Sequence, residues 1–164
     1  MIRVSMFLVG LAVLIGCSPT TVEYESSRAP WLSLELRRCS TDSAEGWKSI
    51  LFSPVGASTA ETLYISPSVE ISNADLKSTS IQQDTTGTWM IILRLHESAR
   101  SRFGEFSTKL AAETEHRERL AVIVDGKTLI APYVTAPMTD GVISVTGPFT
   151  EEEARYIAKG IVGS

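Results

Sequence analysis

The residues of this chain that could do chemistry are few and widely spaced. His96 and His116 are too far apart to form the His-x-x-x-His face of a zinc-binding helix. Glu113, Glu115 and Glu118 surround His116, and a metal site there is the less favoured alternative to a solvated helix end. The sequence contains no Gly-x-Ser-x-Gly elbow, phosphate-binding loop or Cys–His pairing at a recognisable spacing. We therefore predict a protein that is not an enzyme and that uses no metal or cofactor.

One carboxylate, that of Asp125, invites a catalytic interpretation because Gly126 follows it directly. However, Asp125, Gly126 and Lys127 separate two apolar runs, which is the pattern of a hairpin turn. Aspartate favours turns because its side chain bonds to nearby backbone groups. We therefore assign Asp125 to a turn.

The N-terminal residues have the pattern of an export signal. Arg3 precedes an apolar run over 4–16 that would rise about 20 Å as a helix, too short for a ~30 Å hydrocarbon core. The run ends in Leu14-Ile15-Gly16-Cys17, which resembles the lipobox of bacterial lipoproteins, where the cysteine thiol takes a diacylglycerol. This resemblance predicts that residues 1–16 are removed and that a lipid on Cys17 anchors the chain. The alternative is an ordinary signal peptide followed by a chance cysteine.

The segment after the lipobox predicts how the chain is organised. Ser18 follows the cysteine, which in the lipoprotein sorting rule favours the outer membrane, with the protein facing the periplasm. Residues 17–30 are polar, contain two prolines and lack periodicity, so we expect a flexible tether before a single domain over 31–164. If Cys17 carries the lipid, Cys39 has no partner within the chain, and a cross-link between molecules stays open.

The composition limits the classes of partner. Hydrophobic residues make up 43% of the chain, enough for one domain with a core. The formal net charge is −4 at pH 7, so the chain has no excess of basic residues that would favour binding to nucleic acid. The remaining expectations are the membrane, reached through the lipid, and a protein or unfolded polypeptide.

Apolar periodicity predicts an α+β fold. A period of two, or a short apolar run, predicts strands over 31–38, 48–53, 62–66, 79–84, 88–97, 120–124, 128–131 and 142–146. The run at 88–97 is nearly continuous, so we expect that strand to be central and the most buried. A period near 3.6 predicts helices over 98–115 and after the capping box Thr150–Glu153, with a single helical turn at 72–76. We expect a mostly antiparallel sheet with the two amphipathic helices packed on one face.

Several motifs resemble a known family. They are RLAVIVDGK (119–127), IAP (130–132) and GPFTEEEA (147–154), preceded in the same order by LYIS (63–66), NADL (73–76) and FGEFS (103–107). Together they resemble the head subdomain of the first periplasmic domain of SecD, the proton-driven accessory subunit of the bacterial Sec translocon. The resemblance implies the fold, a non-enzymatic character and a surface that contacts exported polypeptides. SecD carries its head between transmembrane helices, and nothing after Cys17 resembles such a segment, so proton-driven export is not carried over.

Four residues are candidate partner contacts. Trp47 lies in a polar, glycine-containing loop, whereas Trp89 is expected in the core. Tyr133, Pro137 and Met138 lie in a loop over 133–141 whose composition is typical of a mobile contact surface, with a plain crossover as the alternative. The leading hypothesis is a membrane-anchored binding module for protein or exported polypeptide. The alternative is a structural envelope lipoprotein with no role in export.

Overall fold

A computed structural model describes residues 21–26, 29–54, 58–113 and 118–164. The predicted signal peptide, Cys17, Glu115 and His116 lie outside these residues. The strands are β1 (Val22–Glu25), β2 (Leu34–Ser40), β3 (Lys48–Phe52), β4 (Glu61–Ile65), β5 (Ile71–Ser72), β6 (Leu76–Gln83), β7 (Trp89–Leu95), β8 (Glu118–Val124), β9 (Lys127–Ile130) and β10 (Val142–Phe149). The helices are α1 (Glu97–Ala111) and α2 (Glu151–Val162), with a 3-10 turn at Asn73–Asp75. None of the helices in this part of the chain has the length and apolar character needed to cross a membrane.

The strands form two antiparallel sheets. The first sheet has the order β1-β6-β7-β10, and the second has the order β3-β4-β2-β8-β9, with β5 also paired to β2. All the strand pairs are antiparallel. The predicted α+β class is confirmed. The sequence interpretation had a single sheet, because periodicity shows which side chains are buried but not which strands pair.

Strand β1 lies within the segment that the sequence assigns to the tether. Val22–Glu25 pairs antiparallel with residues 78–81 of β6, and Tyr24 is only 8% exposed. The ordered body therefore includes residues before Trp31. An alternation of apolar and acidic residues over only four positions of a polar segment is too short to predict a strand. The strand is stabilised by its pairing with β6, which the local sequence does not reveal.

The main core lies between the two sheets and includes both helices. The second sheet contributes one face to it, through Leu34 and Leu36 of β2 and through Leu120, Val122 and Val124 of β8. The residues between them point to the opposite face, where a smaller apolar cluster forms. Because both of its faces are covered, β8 is the most buried strand, with six of its seven residues buried, and not β7 as the sequence predicts.

Both helices have the local features that their sequences predict. Thr150 Oγ1 accepts from the N–H of Glu153 at 3.2 Å, and the Glu153 carboxylate accepts from the N–H of Thr150 at 2.8 Å. Gly163 ends α2 in the left-handed conformation, with a φ of 75°. On the first sheet, the buried Thr79 hydroxyl donates to the Ala158 carbonyl of α2 at 2.8 Å. The predicted stripe of α1, made of Ala99, Phe103, Phe106 and Leu110, is buried in the main core.

A close backbone approach fixes the end of α2. The N–H groups of Trp31 and Leu32 both donate to the carbonyl of Gly160, at 3.0 and 3.2 Å. A Cβ atom at Gly160 would lie 2.6 Å from Leu32 Cγ and 3.0 Å from Trp31 Nε1. Leu32 is itself buried in the main core, so it has little room to move aside.

We predict that Gly160→Ala destabilises the protein. Overpacking costs about 1–3 kcal/mol, which exceeds the roughly 1 kcal/mol that alanine gains over glycine inside a helix. Urea unfolding should therefore show a lower free energy of unfolding than for the wild type. Tyr156→Ala on the same helix is the control, because Tyr156 is 58% exposed, and it should change this free energy much less. An equal or higher stability of Gly160→Ala would contradict the packing described.

Candidate binding site at the open edge of strand β9

The site starts from the two-residue turn between β8 and β9. Asp125 and Gly126 both have positive φ, 48° and 73°, as a type I′ hairpin turn requires. The Asp125 carboxylate accepts from the N–H of Ser33 at 2.8 Å and from its hydroxyl at 3.2 Å. In return, the N–H of Asp125 donates to the Ser33 carbonyl at 3.0 Å. The turn assignment of Asp125 is confirmed, and its carboxylate holds the hairpin against the start of β2.

This turn places β9 at an open edge of the second sheet. Among the described strands, β9 pairs only with β8. Val124 and Lys127 close the hairpin, so they exchange the backbone hydrogen bonds of that pair. The next pair is Ile123 with Thr128, and the N–H and C=O of Thr128 therefore point away from β8. An edge of this kind offers backbone donors and acceptors to another extended chain.

A cavity lies beside β9 on the face of the second sheet that is turned away from the main core, which we call the distal face. Its volume is about 300 Å³. Ile50, Ile65 and Ile123 supply its apolar lining. Lys48 of β3 and Thr128 of β9 also line it, so the two outermost strands of the sheet border the same space. We call this the distal cavity.

A second cavity lies on the other side of β9, against α2. Its volume is about 400 Å³, and Leu129, Phe149, Tyr156 and Ile157 supply its apolar lining. Thr128 lines this cavity as well as the distal one. We call it the helix-side cavity. The open edge of β9 therefore has an apolar cavity on each side, which is the arrangement that a strand with alternating side chains can fill.

The acidic side chains around the two cavities have hydrogen-bond partners, whereas the two lysines have no ion-pair partner among the described residues. Glu35 accepts from Arg37 Nε at 2.8 Å, and Glu153 caps the start of α2. Both acidic groups that line the cavities are thus already hydrogen-bonded. Lys48 and Lys127 are exposed and form no ion pair with a carboxylate of the described residues. The site therefore carries two unmatched positive charges on a chain whose net charge is −4.

A partly buried ion pair lies at the opposite end of the distal face. Arg119 donates to both carboxylate oxygens of Glu61, at 2.6 and 3.0 Å, and is 9% exposed. The ring of Tyr133 covers this guanidinium, with its centroid 4.5 Å from Cζ. The hydrogen bond to Glu61 raises the pKa of Arg119 despite the opposing effect of burial, so the group stays charged. Tyr133, a predicted contact residue, thus holds its loop to the sheet.

Cys39 lies next to this ion pair and is inaccessible. It is the register partner of Arg119 and has no exposed surface. Burial raises the pKa of its thiol to about 12, although the charge of Arg119 acts in the opposite direction. A thiol that is both buried and protonated is a poor nucleophile. The structure therefore argues against the cross-link between molecules that the sequence left open.

The predicted contact residues do not form one surface. Trp47 is half-buried and lines a separate cavity with Ser40, Asp42 and Glu118. Tyr133 and Pro137 are exposed, but Met138 packs partly against the main core, and its N–H donates to Ser107 Oγ at 2.9 Å. The loop is also anchored elsewhere: Val134 is buried, and the Pro132 and Gly141 carbonyls accept from the N–H groups of Leu120 and Leu95. Its composition suggested mobility, whereas its contacts hold it at several points.

The sequence analysis missed the cavities beside β9. Their walls come from β2, β3, β4, β8, β9, β10 and α2, and no local pattern joins such distant segments. The available signal was Tyr156, a large aromatic on the polar side of an amphipathic helix.

Within the described part of the chain, no group of three or more His, Cys, Asp or Glu side chains is placed to hold a metal ion.

Comparison with known proteins gives consistent matches. The family described as SecDF, P1 head subdomain, matches residues 50–163. The protein translocase subunit SecD of Acidaminococcus fermentans is 27% identical over 88 residues, which is 54% of this chain and 20% of that protein. SecD of Aquifex aeolicus is 32% identical over 88 residues, covering 54% of this chain and 16% of that protein. This chain thus spans about a fifth of the length of the SecD proteins that it matches.

Two solved structures share the fold. One is described as the structure and function of a membrane component SecDF that enhances protein export; it superimposes with a TM-score of 0.61 at 20% identity, over 82% of this chain and 64% of that one. The other, SecDF in a super-membrane-facing form, gives a TM-score of 0.62 at 20% identity, over 82% of this chain and 19% of that one.

We predict that Arg119→Gln both destabilises the protein and exposes Cys39. The substitution leaves the Glu61 carboxylate without its charged partner, which costs about 2 kcal/mol. Urea unfolding measures this loss, and thiol labelling of native protein follows Cys39 in a Cys17→Ser background, where it is the remaining cysteine. If local opening of the sheet around Cys39 limits the reaction, labelling of the variant should be at least about tenfold faster than labelling of the protein with Arg119 intact. Arg119→Lys keeps the positive charge but not the two parallel hydrogen bonds to Glu61, so its stability and labelling rate should be intermediate. Fast labelling of Cys39 with Arg119 intact would contradict the burial described.

Proposed function

Because this chain belongs to the SecDF P1 head subdomain family, we propose that it is a non-enzymatic module that binds polypeptide chains outside the cytoplasm and assists protein export. The family match at residues 50–163 is the observation that carries this proposal. The matched region includes β9, α2 and both cavities beside the open edge. A solved relative is described as enhancing protein export, and the export context of this chain is transferred from it as a proposal.

We also propose that a lipid on Cys17 holds the module at a membrane, and that Ser18, the residue after it, directs the protein to the outer membrane. Each buried CH₂ of an acyl chain contributes about 0.8 kcal/mol, so two or three chains give stable anchoring. The distance to the folded body is short, because β1 already begins at Val22. Five residue steps span at most about 18 Å. The proposed lipid therefore keeps β1 near the membrane surface, unlike the longer tether that the sequence pattern suggests.

A second candidate function follows from the small share of SecD that this chain spans. The head fold could be reused in a structural envelope lipoprotein with no role in export. The two functions differ in the phenotype of a deletion. Reduced levels of secreted proteins support the export function, whereas impaired envelope integrity with normal secretion supports the structural one.

For the anchor, we predict that Cys17→Ser releases the protein from membranes. Without the thiol no diacylglycerol can be attached, so the variant should move to the soluble fraction or remain unprocessed, and mass spectrometry should show no acylation. Cys39→Ser is the matched control, because Cys39 is buried in the folded domain, and it should stay in the membrane fraction. An unmodified thiol at Cys17 in the wild type would refute the anchor.

For polypeptide binding, we predict that photo-crosslinkers at Tyr156 and Pro137 capture exported chains. Both positions are exposed, and Tyr156 lines the helix-side cavity. Adducts should accumulate in cells in which export is slowed and should contain secreted proteins or Sec components, identified by mass spectrometry. A crosslinker at Thr85, in the exposed turn between β6 and β7, is the control. If only envelope polymers are recovered from Tyr156 and Pro137, the structural function is favoured instead.

A further inference from the structure

We propose that an extended polypeptide segment binds as an added strand at the open edge of β9, with its side chains alternating between the distal and helix-side cavities and with acidic residues meeting Lys48 and Lys127. This inference rests on the proposed polypeptide-binding function and specifies its binding mode. It commits to an extended, acidic-flanked apolar segment as the occupant.

The backbone geometry of β9 supplies the first argument. Thr128 turns its N–H and C=O away from β8, and no described strand pairs with them. An incoming chain in extended conformation can therefore exchange backbone hydrogen bonds with Thr128 without disturbing the hairpin. These bonds involve only the backbone, so they place little restriction on the sequence of the bound segment.

The two cavities supply the second argument. Successive side chains of a strand point to opposite faces of its sheet. On β9, Thr128 shares the distal face with Ile123, whereas Lys127 and Leu129 line the helix-side cavity. A strand added beside residues 127–129 has the same alternation. After Thr128 the register with β8 shifts, so that Leu129 and Ile130 both pack against the main core. The side chains of the added strand therefore enter the distal cavity of about 300 Å³ and the helix-side cavity of about 400 Å³ in turn.

Charge supplies the third argument and identifies the flanking residues of the segment. Lys48 lines the distal cavity and Lys127 the helix-side cavity. The acidic groups of both cavities are occupied, Glu35 by Arg37 and Glu153 by the helix cap. Carboxylates on an incoming segment thus meet two unmatched ammonium groups, whereas lysines on it meet like charges. An alternative role for the two lysines is to protect the sheet edge from self-association. In that case the site would not prefer acidic segments over basic ones.

The test uses the mature lipidated protein in detergent micelles and a labelled peptide, Ser-Asp-Val-Phe-Val-Val-Asp-Ser, with binding followed by fluorescence anisotropy. Its two aspartates are five residues apart, so they lie on opposite faces of an extended chain, as Lys48 and Lys127 do. Two comparison peptides replace the central phenylalanine by proline or both aspartates by lysine. Thr128→Pro removes the outward N–H that the added strand needs but no hydrogen bond to β8. Thr128→Val is its matched control, because it keeps the N–H and a similar shape. Circular dichroism and thermal unfolding check the fold of each variant.

We expect Thr128→Pro to weaken binding of the aspartate peptide about tenfold while Thr128→Val binds like the wild type. The proline peptide should bind poorly to every variant. The double variant Lys48→Ala/Lys127→Ala should lose the preference for the aspartate peptide over the lysine peptide. Tyr156→Ala, at an exposed position of the helix-side cavity, should also weaken binding and serves as the test if Thr128→Pro does not fold.

Four results would overturn the binding mode. Equal binding to wild type, Thr128→Pro and Tyr156→Ala would show that the β9 edge is not used. Self-association that Thr128→Pro abolishes, without peptide binding, would make a second copy the occupant. Absence of peptide binding while crosslinks to exported chains persist would reject this mode and leave the proposed function standing. Loss of both the peptide binding and the crosslinks would reject the proposed function as well.

Discussion

The pairing of β2 with β8 is the constraint on which the rest of the structure depends. These strands are joined over seven consecutive residue pairs, from Leu34 with Val124 to Ser40 with Glu118. Because successive side chains alternate between the two faces, this one register places side chains both in the main core and in the smaller apolar cluster on the distal face. A shift by one residue would turn Leu36 out of the core and Arg37 into it. The alternation of burial over the first four residues of β2 therefore specifies the position of β8, and with it the position of the hairpin that carries β9.

Side-chain hydrogen bonds then fix the ends of the elements around this ladder. Asn73 accepts from the N–H of Leu34 at 2.8 Å and donates to the carbonyls of Leu32 and Ile161, at 3.0 and 2.8 Å. One amide thus joins the start of β2 to the end of α2. Asp125 similarly joins the β8–β9 turn to Ser33. Since β9 and α2 are both held against the same start of β2, the helix-side cavity between them has fixed walls.

Features encoded within a few residues were predictable from the sequence, whereas features formed between distant segments were not. The capping box at Thr150, the stripe of α1 and the turn at Asp125 each depend on local geometry, and the structure has all three. Strand β1 is stabilised mainly by pairing with β6, so its four residues carry little signal. The division into two sheets and the cavities beside β9 depend on which strands become neighbours. The burial of Cys39 depends likewise on its register with Arg119.

The length of β9 bears on how such a site can work. Natural sheets protect their edges with short strands, lysine and proline, and β9 has four residues and begins with Lys127. A strand of this length can form only a few backbone hydrogen bonds with a bound chain, each contributing about 1 kcal/mol. Much of the affinity must therefore come from the side chains that enter the cavities. Binding of this kind is weak, and it depends on the apolar and acidic character of the segment, not on one exact sequence. Under the proposed function the module contacts many different chains and must release each one, which requires weak binding.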